Sequence, residues 1–222
     1  MIFPTLANNT FGYINLDTEA RQWVAKKGLA TEPNPLLDPV TCQQMVTDVH
    51  EKYGVDYSFG GWFEDRGFLW KGSYLDETQG YVHLGVDFNV PTGTDVALDF
   101  AGTVAVIDSD YPIEGGWGTR VIIKHADLPL YFIYAHLDPN VFCKVGDVLA
   151  EGHIFAKVGQ APQNGNWFPH THVQTVDAAY LESLLAAGTL ESLDGYGSPK
   201  DVSANARRFR DPLEFIRISS AR

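Results

Sequence analysis

The sequence predicts a mainly β protein: an antiparallel β-sandwich or partial barrel, preceded by a mixed, helical segment and followed by short helices. Three observations predict it. Between Tyr81 and Asp177, short β-branched runs recur about every ten residues, and turn residues separate them. Before residue 80 the apolar residues follow a helical period instead. After Asp177 the spacing returns to helix start and stop signals.

The early helices come first. Thr18 to Lys27 suits a short helix. Asp38-Pro39 supplies an N-cap followed by proline at the first helical position. Cys42, Met45, Val46, Val49 and Tyr53 then share one helical face, and Gly54 ends the run. Residues 55–80, rich in Gly and aromatics, read as a long loop with one or two short strands. The expected strands are Val86-Val90, Gly102-Ile107, Arg120-Lys124, Leu130-Ala135, Val148-Val158 and Thr171-Val176. Turns are marked by Pro91-Thr92-Gly93, Gly115-Gly116, Asp138-Pro139-Asn140, Gly146-Asp147 and Asn164-Gly165. Asp177 can cap a helix through Leu185 that Gly188 closes, and Asp211-Pro212 opens a last short one. The expected organisation is an N-terminal extension (1–80) packed on a β core (81–177), with a C-terminal extension of the same domain (178–222).

Composition narrows the function classes. The 222 residues are 45% hydrophobic, enough for a real core. The net charge is -12 with no Lys/Arg-rich run, which argues against nucleic-acid partners and adhesion to anionic membranes. No stretch approaches the ~20 apolar residues that span a bilayer. Met1 to Ala7 has neither the basic start nor the apolar stretch of a secretory signal. The chain as given is therefore expected in the cytoplasm, or outside it if processed or exported another way. Two distant cysteines, Cys42 and Cys143, make no disulfide framework and are expected reduced.

The chemistry lies in the histidines. His170 and His172 are two apart, so on a strand they share a face with Cα atoms about 6–7 Å apart. One imidazole can then bind a metal while the other stands beside the water. His83 and Asp87 are four apart, and a straight strand would separate their Cα atoms by about 13 Å. Metal bonds of about 2.0–2.2 Å require a bend between them, which Gly85 can supply. His136, in Tyr134-Ala135-His136-Leu137, ends an apolar run just before an Asp-Pro turn. His50, His125 and His153 read as structural or surface residues.

Taken in order, His83-x-x-x-Asp87, Tyr134-Ala135-His136-Leu137 and His170-x-His172 resemble the three motifs of the lysostaphin/LytM-type metallopeptidases, family M23. The resemblance continues through Gly85-Val86-Asp87-Phe88, Pro91-x-Gly93-Thr94, Ala101-Gly102-Thr103-Val104, Gly118 to His125, Val145-Gly146-Asp147-Val148 and Val158-Gly159. It covers residues 81–176. It implies one zinc ion held by His83, Asp87 and His172, with His136 and His170 as non-ligand catalytic histidines, and a peptide or peptidoglycan substrate. Two imidazoles and a carboxylate suit Zn²⁺ and leave a fourth position for water. A nearby imidazole can then take a proton and return it to the leaving amine, while a second stabilises the oxyanion. Which of His136 and His170 does which stays open.

Where the family has small residues before its last motif, this chain has Trp167 and Phe168. They either pack the loop or narrow the substrate groove. Some family members are held latent by an upstream segment, and residues 55–80 are the place to look for one here. Two competing readings are a non-catalytic binding module on the same fold and an intracellular peptidase with a non-wall substrate. A carrier domain of lipoyl type, suggested by the Val145–Gly159 hairpin, lacks a modifiable lysine at its tip and leaves the His/Asp set unexplained.

Overall fold

A computed structural model of the chain describes residues 1–110 and 115–218. The last four residues of the expected C-terminal extension, 219–222, lie outside the described residues. Strand β1 is Phe11–Tyr13, helix α1 Leu16–Lys27, helix α2 Pro39–Tyr53 and strand β2 Tyr57–Gly60. Strands β3 (Val82–His83), β4 (Val86–Asn89), β5 (Asp95–Ala97), β6 (Gly102–Asp110), β7 (Gly118–His125) and β8 (Leu130–Leu137) follow. Strands β9 (Val148–Leu149), β10 (Ile154–Lys157) and β11 (Thr171–Asp177) lead into helix α3 (Ala178–Ala187), then β12 (Tyr196–Gly197) and helix α4 (Val202–Arg208).

Helix termini sit where the cap residues put them. Asp38 accepts from the Thr41 N–H at 2.8 Å and opens α2 with Pro39 behind it. Gly54 closes α2 in the left-handed region. Helix α1 starts two residues before the expected Thr18, because Asn15 provides the cap. Asp177 and Gly188 bound α3 as expected. Tyr53, assigned by periodicity to the buried face of α2, is 52% exposed; it lies at the end of the helix and its hydroxyl reaches out to Glu19.

The main sheet has eight strands in the order β1-β2-β4-β11-β8-β7-β6-β9. Its pairings are antiparallel except β1–β2, which is parallel. The exception has a topological cause: α1 and α2 carry the chain from β1 to β2, and such a crossover returns it in the same direction. Residues 1–80 therefore extend the sheet with two strands as well as packing helices on it. The Val148-Val158 run, expected as one strand, divides at Gly152 into β9, which pairs with β6, and β10, which pairs with β5. The two halves serve different sheets, which removes the carrier-type hairpin.

Alternation along the central strands fills two cores, and the helices build a third. Val121, Ile123, Phe132 and Tyr134 face the β5/β10 side with Phe88, Val96 and Phe155. Ile122, Ile133 and Ala135 face the opposite side with Leu181 of α3 and Phe209 after α4. A third core joins α1 and α2 to Leu69, Trp70, Trp167 and Phe168. No helix among the described residues is long and apolar enough to cross a membrane.

Met45 is fully buried in this third core. Met45→Ala is expected to cost about 2–5 kcal/mol in urea denaturation, through lost transfer energy and the cavity left behind. A loss well below that range would mean that α2 is not packed as described.

Candidate metal centre and catalytic cleft

Three side chains converge between β3, β4 and β11. His83 ends β3, and the chain bends at Leu84-Gly85 before Asp87 on β4. Asp87 is directly opposite His172 across the β4–β11 pairing. The bend thus falls at Gly85, as the reach of the two side chains demanded. The glycine has a second purpose: a Cβ there would stand 2.6 Å from the His172 ring and from the Val173 carbonyl oxygen.

The facing atoms form a tight triangle. His83 Nε2 lies 2.9 Å from His172 Nδ1 and 3.4 Å from Asp87 Oδ1, and His172 Nδ1 lies 3.0 Å from Asp87 Oδ1. The outward contacts assign the tautomers. His83 Nδ1–H donates to the Gly61 carbonyl at 3.0 Å, which leaves Nε2 a bare lone pair. His172 Nε2–H donates to Gln174 Oε1 at 2.9 Å, which leaves Nδ1 bare. The Gln174 amide is itself oriented, because its nitrogen donates to the Asp194 carbonyl at 3.2 Å. Both inner nitrogens and the carboxylate oxygen are therefore acceptors, with no proton between them.

Such a set fits a cation. Ligands about 2.0–2.1 Å from a tetrahedral ion are about 3.3 Å apart, close to the triangle seen here. His83, Asp87 and His172 are a group that could hold a metal ion, and all three are at most 3% exposed.

Two more imidazoles stand beside them. His136, at the end of β8, has φ 62°, which an L-residue adopts at a cost. The strain is held by His136 N–H donating to the Trp117 carbonyl and by the Gly159 N–H donating to the His136 carbonyl, both at 2.9 Å. His170 comes just before β11, with its ring centroid 4.2 Å from that of His136. His170 Nε2 is 4.0 Å from Asp87 Oδ1. His136 Nδ1–H donates to the Asn164 carbonyl and His170 Nδ1–H to the Phe168 carbonyl, each at 2.8 Å. Both carbonyls belong to one loop, and Asn164 fixes that loop by donating to the Trp167 carbonyl at 3.1 Å. Both rings thus keep Nε2 free.

These groups line a cleft of about 520 Å³, counting its open mouth, whose walls include Trp70, Tyr74, Trp117, Trp167 and Tyr196. Trp167 is on the wall, with its ring tilted 39° against that of Trp70 at 4.4 Å. Phe168 does not line the cleft. It is fully buried and packs flat against His170 at 4.9 Å, so it supports that ring and offers the groove no surface. His50, His125 and His153 lie away from the cleft: His50 is hydrogen-bonded to Ser58, His125 stacks on Phe100, and His153 is exposed.

Sequence reasoning missed several members. Gln174 continues the two-residue period of His170 and His172, and that signal could have found it. Gly61, Glu64 and Arg66 had no such signal. Arg66 is 1% exposed and its Nη1 donates to Asp87 Oδ2 at 2.5 Å. Burial alone would raise the Asp87 carboxyl. The neighbouring His83, Arg66 guanidinium and His170 outweigh it and hold the group well below the usual carboxylate range.

Comparison with known proteins follows the same residues. Residues 81–180 match the family model described as Peptidase family M23. Among solved structures, the catalytic domain of the prophage-encoded M23 protein EnpA from Enterococcus faecalis is 31% identical over 44% of this chain and 70% of its own, with TM-score 0.38. The catalytic domain of the antimicrobial peptidase lysostaphin from Staphylococcus simulans is 21% identical over 78% of this chain and 96% of its own, with TM-score 0.47. A zinc containing peptidase from Vibrio cholerae is 26% identical over 44% of this chain and 28% of its own, with TM-score 0.38. No curated protein matches the chain significantly.

The buried imidazoles give a pH dependence. Burial, then the charge of Arg66, pushes His83 down to about 3 from its ordinary 6.5. Burial also lowers His170 and, with the charge of His170, lowers His136 well below its ordinary value. The unfolded chain therefore binds protons near pH 6.5 that the folded chain refuses. The stability these groups contribute is complete above pH 6.5 and declines as pH falls towards 3. The slope is up to about 1.4 kcal/mol per pH unit for each proton. Asp87 loses its contribution only below its own ordinary value, so it is silent between pH 7.5 and 5. Urea denaturation with a chelator present should show clearly lower stability at pH 5 than at pH 7.5. Equal stability would contradict the buried neutral imidazoles.

Proposed function

This chain belongs to peptidase family M23, and from that premise we propose that it is a zinc metalloendopeptidase. In this reading His83, Asp87 and His172 hold one zinc ion, and His136 and His170 handle protons. The observation that carries it is the triangle of three buried acceptors with no proton among them. Two imidazoles and one carboxylate are a donor set suited to zinc. Zinc bound there would supply Lewis-acid polarisation of a peptide carbonyl and a water acidic enough to react near neutrality.

The rest of the chemistry is the chain's own. His136 and His170 are neutral at pH 7, because burial lowers both. Their Nδ1–H groups are committed to carbonyls, so each can accept a proton only at Nε2, on the cleft side. The same Nε2 can return the proton to a leaving amine, or donate to an oxyanion when protonated. The aromatic walls offer an extended peptide flat surfaces, and the Gly115, Gly116 and Gly165 backbones line the cleft without side chains. The motif resemblance favours peptidoglycan stem or cross-link peptides as the substrate.

Elemental analysis and cleavage assays on peptidoglycan and a peptide library test this together. His83→Ala, Asp87→Ala and His172→Ala should lose stoichiometric zinc. His136→Ala and His170→Ala should retain it while turnover falls about 10²–10⁴-fold. Full zinc in His83→Ala would overturn the ligand set. Zinc-loaded wild type that cleaves none of these substrates would overturn the enzyme reading.

A further inference from the structure

We propose that Arg66, outside the stretch matched to the family, is a positioning residue of the metal centre: its guanidinium clamps Asp87 Oδ2 so that Oδ1 alone faces the ion. The inference rests on reading His83, Asp87 and His172 as the metal-holding set.

The geometry is specific. Arg66 Nη1 donates to Asp87 Oδ2, while Asp87 Oδ1 faces His83 Nε2 and His172 Nδ1. The two carboxylate oxygens are thus divided between the arginine and the ion's place. A carboxylate without such a partner can rotate, or present both oxygens. The Arg66 side chain is itself held at three points: by Asp87, by Glu64 at 3.5 Å from Nη2, and by the Tyr196 hydroxyl at 3.2 Å. Glu64 balances the arginine's charge, so the carboxylate facing the ion keeps its negative charge toward it.

The backbone carrying Arg66 is also fixed. Arg66 N–H donates to the Tyr81 carbonyl and His83 N–H to the Glu64 carbonyl, which tie the segment to β3. Asp17, in the first turn of α1, accepts from the Phe68 and Leu69 N–H groups. Gly61 passes between the two supported groups, with φ 111°. A Cβ there would collide with Arg66 Nη2 and stand 2.6 Å from His83 Nδ1. One short segment therefore orients two of the three ligands, His83 through the Gly61 carbonyl and Asp87 through Arg66. Groups that orient ligands in this way commonly govern metal affinity.

The test measures Zn²⁺ affinity by chelator competition in the full chain, with the visible spectrum of the Co²⁺-loaded protein as a second readout. Arg66→Gln is expected to weaken Zn²⁺ binding about 10–100-fold and to change the Co²⁺ bands. Arg66→Lys, which keeps the charge but loses the planar fork, should fall between Arg66→Gln and wild type. Met45→Ala lowers stability from the α1/α2 core and removes no side chain that touches Arg66, Asp87 or the ligands in the hydrogen bonds and ion pairs above. It should lower the melting temperature while keeping Zn²⁺ affinity and the Co²⁺ spectrum. Wild-type affinity and spectrum in Arg66→Gln, with only its melting temperature lowered, would overturn the proposal. If Arg66→Gln does not fold, the comparison of Arg66→Lys with Met45→Ala decides: weaker binding in the first alone supports the role, and equal binding overturns it. Wild type that binds no Zn²⁺ at all would remove the metal reading itself, a result distinct from these.

Discussion

Three acceptor atoms held within 3.4 Å of one another repel, and much of the architecture around β3, β4 and β11 keeps them there. The His83 and His172 protons are drawn outward, to Gly61 and Gln174. Those two partners convert ordinary imidazoles into a pair of inward lone pairs. Both rings are almost fully buried. Such a set of inward acceptors suits a cation.

The histidine pair beside it obeys the same rule with a different result. His136 and His170 also donate outward, to carbonyls of the Asn164–Phe168 loop, but their free nitrogens face the cleft. That loop joins two cores: Phe168 supports His170 from beneath, while Trp167 packs on Trp70 and donates from its indole to the Leu36 carbonyl. The helical segment therefore reaches the cleft through packing. It reaches the His83–Asp87–His172 triangle through β2, which pairs with β4, and through the Gly61–Arg66 turn. Residues before 81 form a wall and support of the site.

Much of this was legible. Cap residues located α2 and α3, and β-branched runs between turn residues located β4, β7, β8 and β11, because those signals are local. Strands β1 and β5 were missed, since three-residue strands carry no periodicity and exist through their partners. The parallel β1–β2 pairing was missed for a related reason: chain direction is decided by a crossover, which no local pattern records. From the sequence, Trp167 and Phe168 could each pack the loop or narrow the groove. Consecutive residues point apart, and only Trp167 reached the cleft.

The sequence by itself determined the pieces of the site. His170 and His172 had to share a face if they lay on a strand, and His83 and Asp87 could meet only if the chain bent between them. Both follow from fixed backbone dimensions. The tertiary structure alone decided that Asp87 would stand opposite His172, that Phe168 would lie beneath His170, and that Arg66 would arrive at Asp87 from another segment. The reason is physical. Spacing along a chain constrains residues a few positions apart, whereas a buried arginine and its carboxylate find each other through packing and charge, which leave no mark in the intervening sequence.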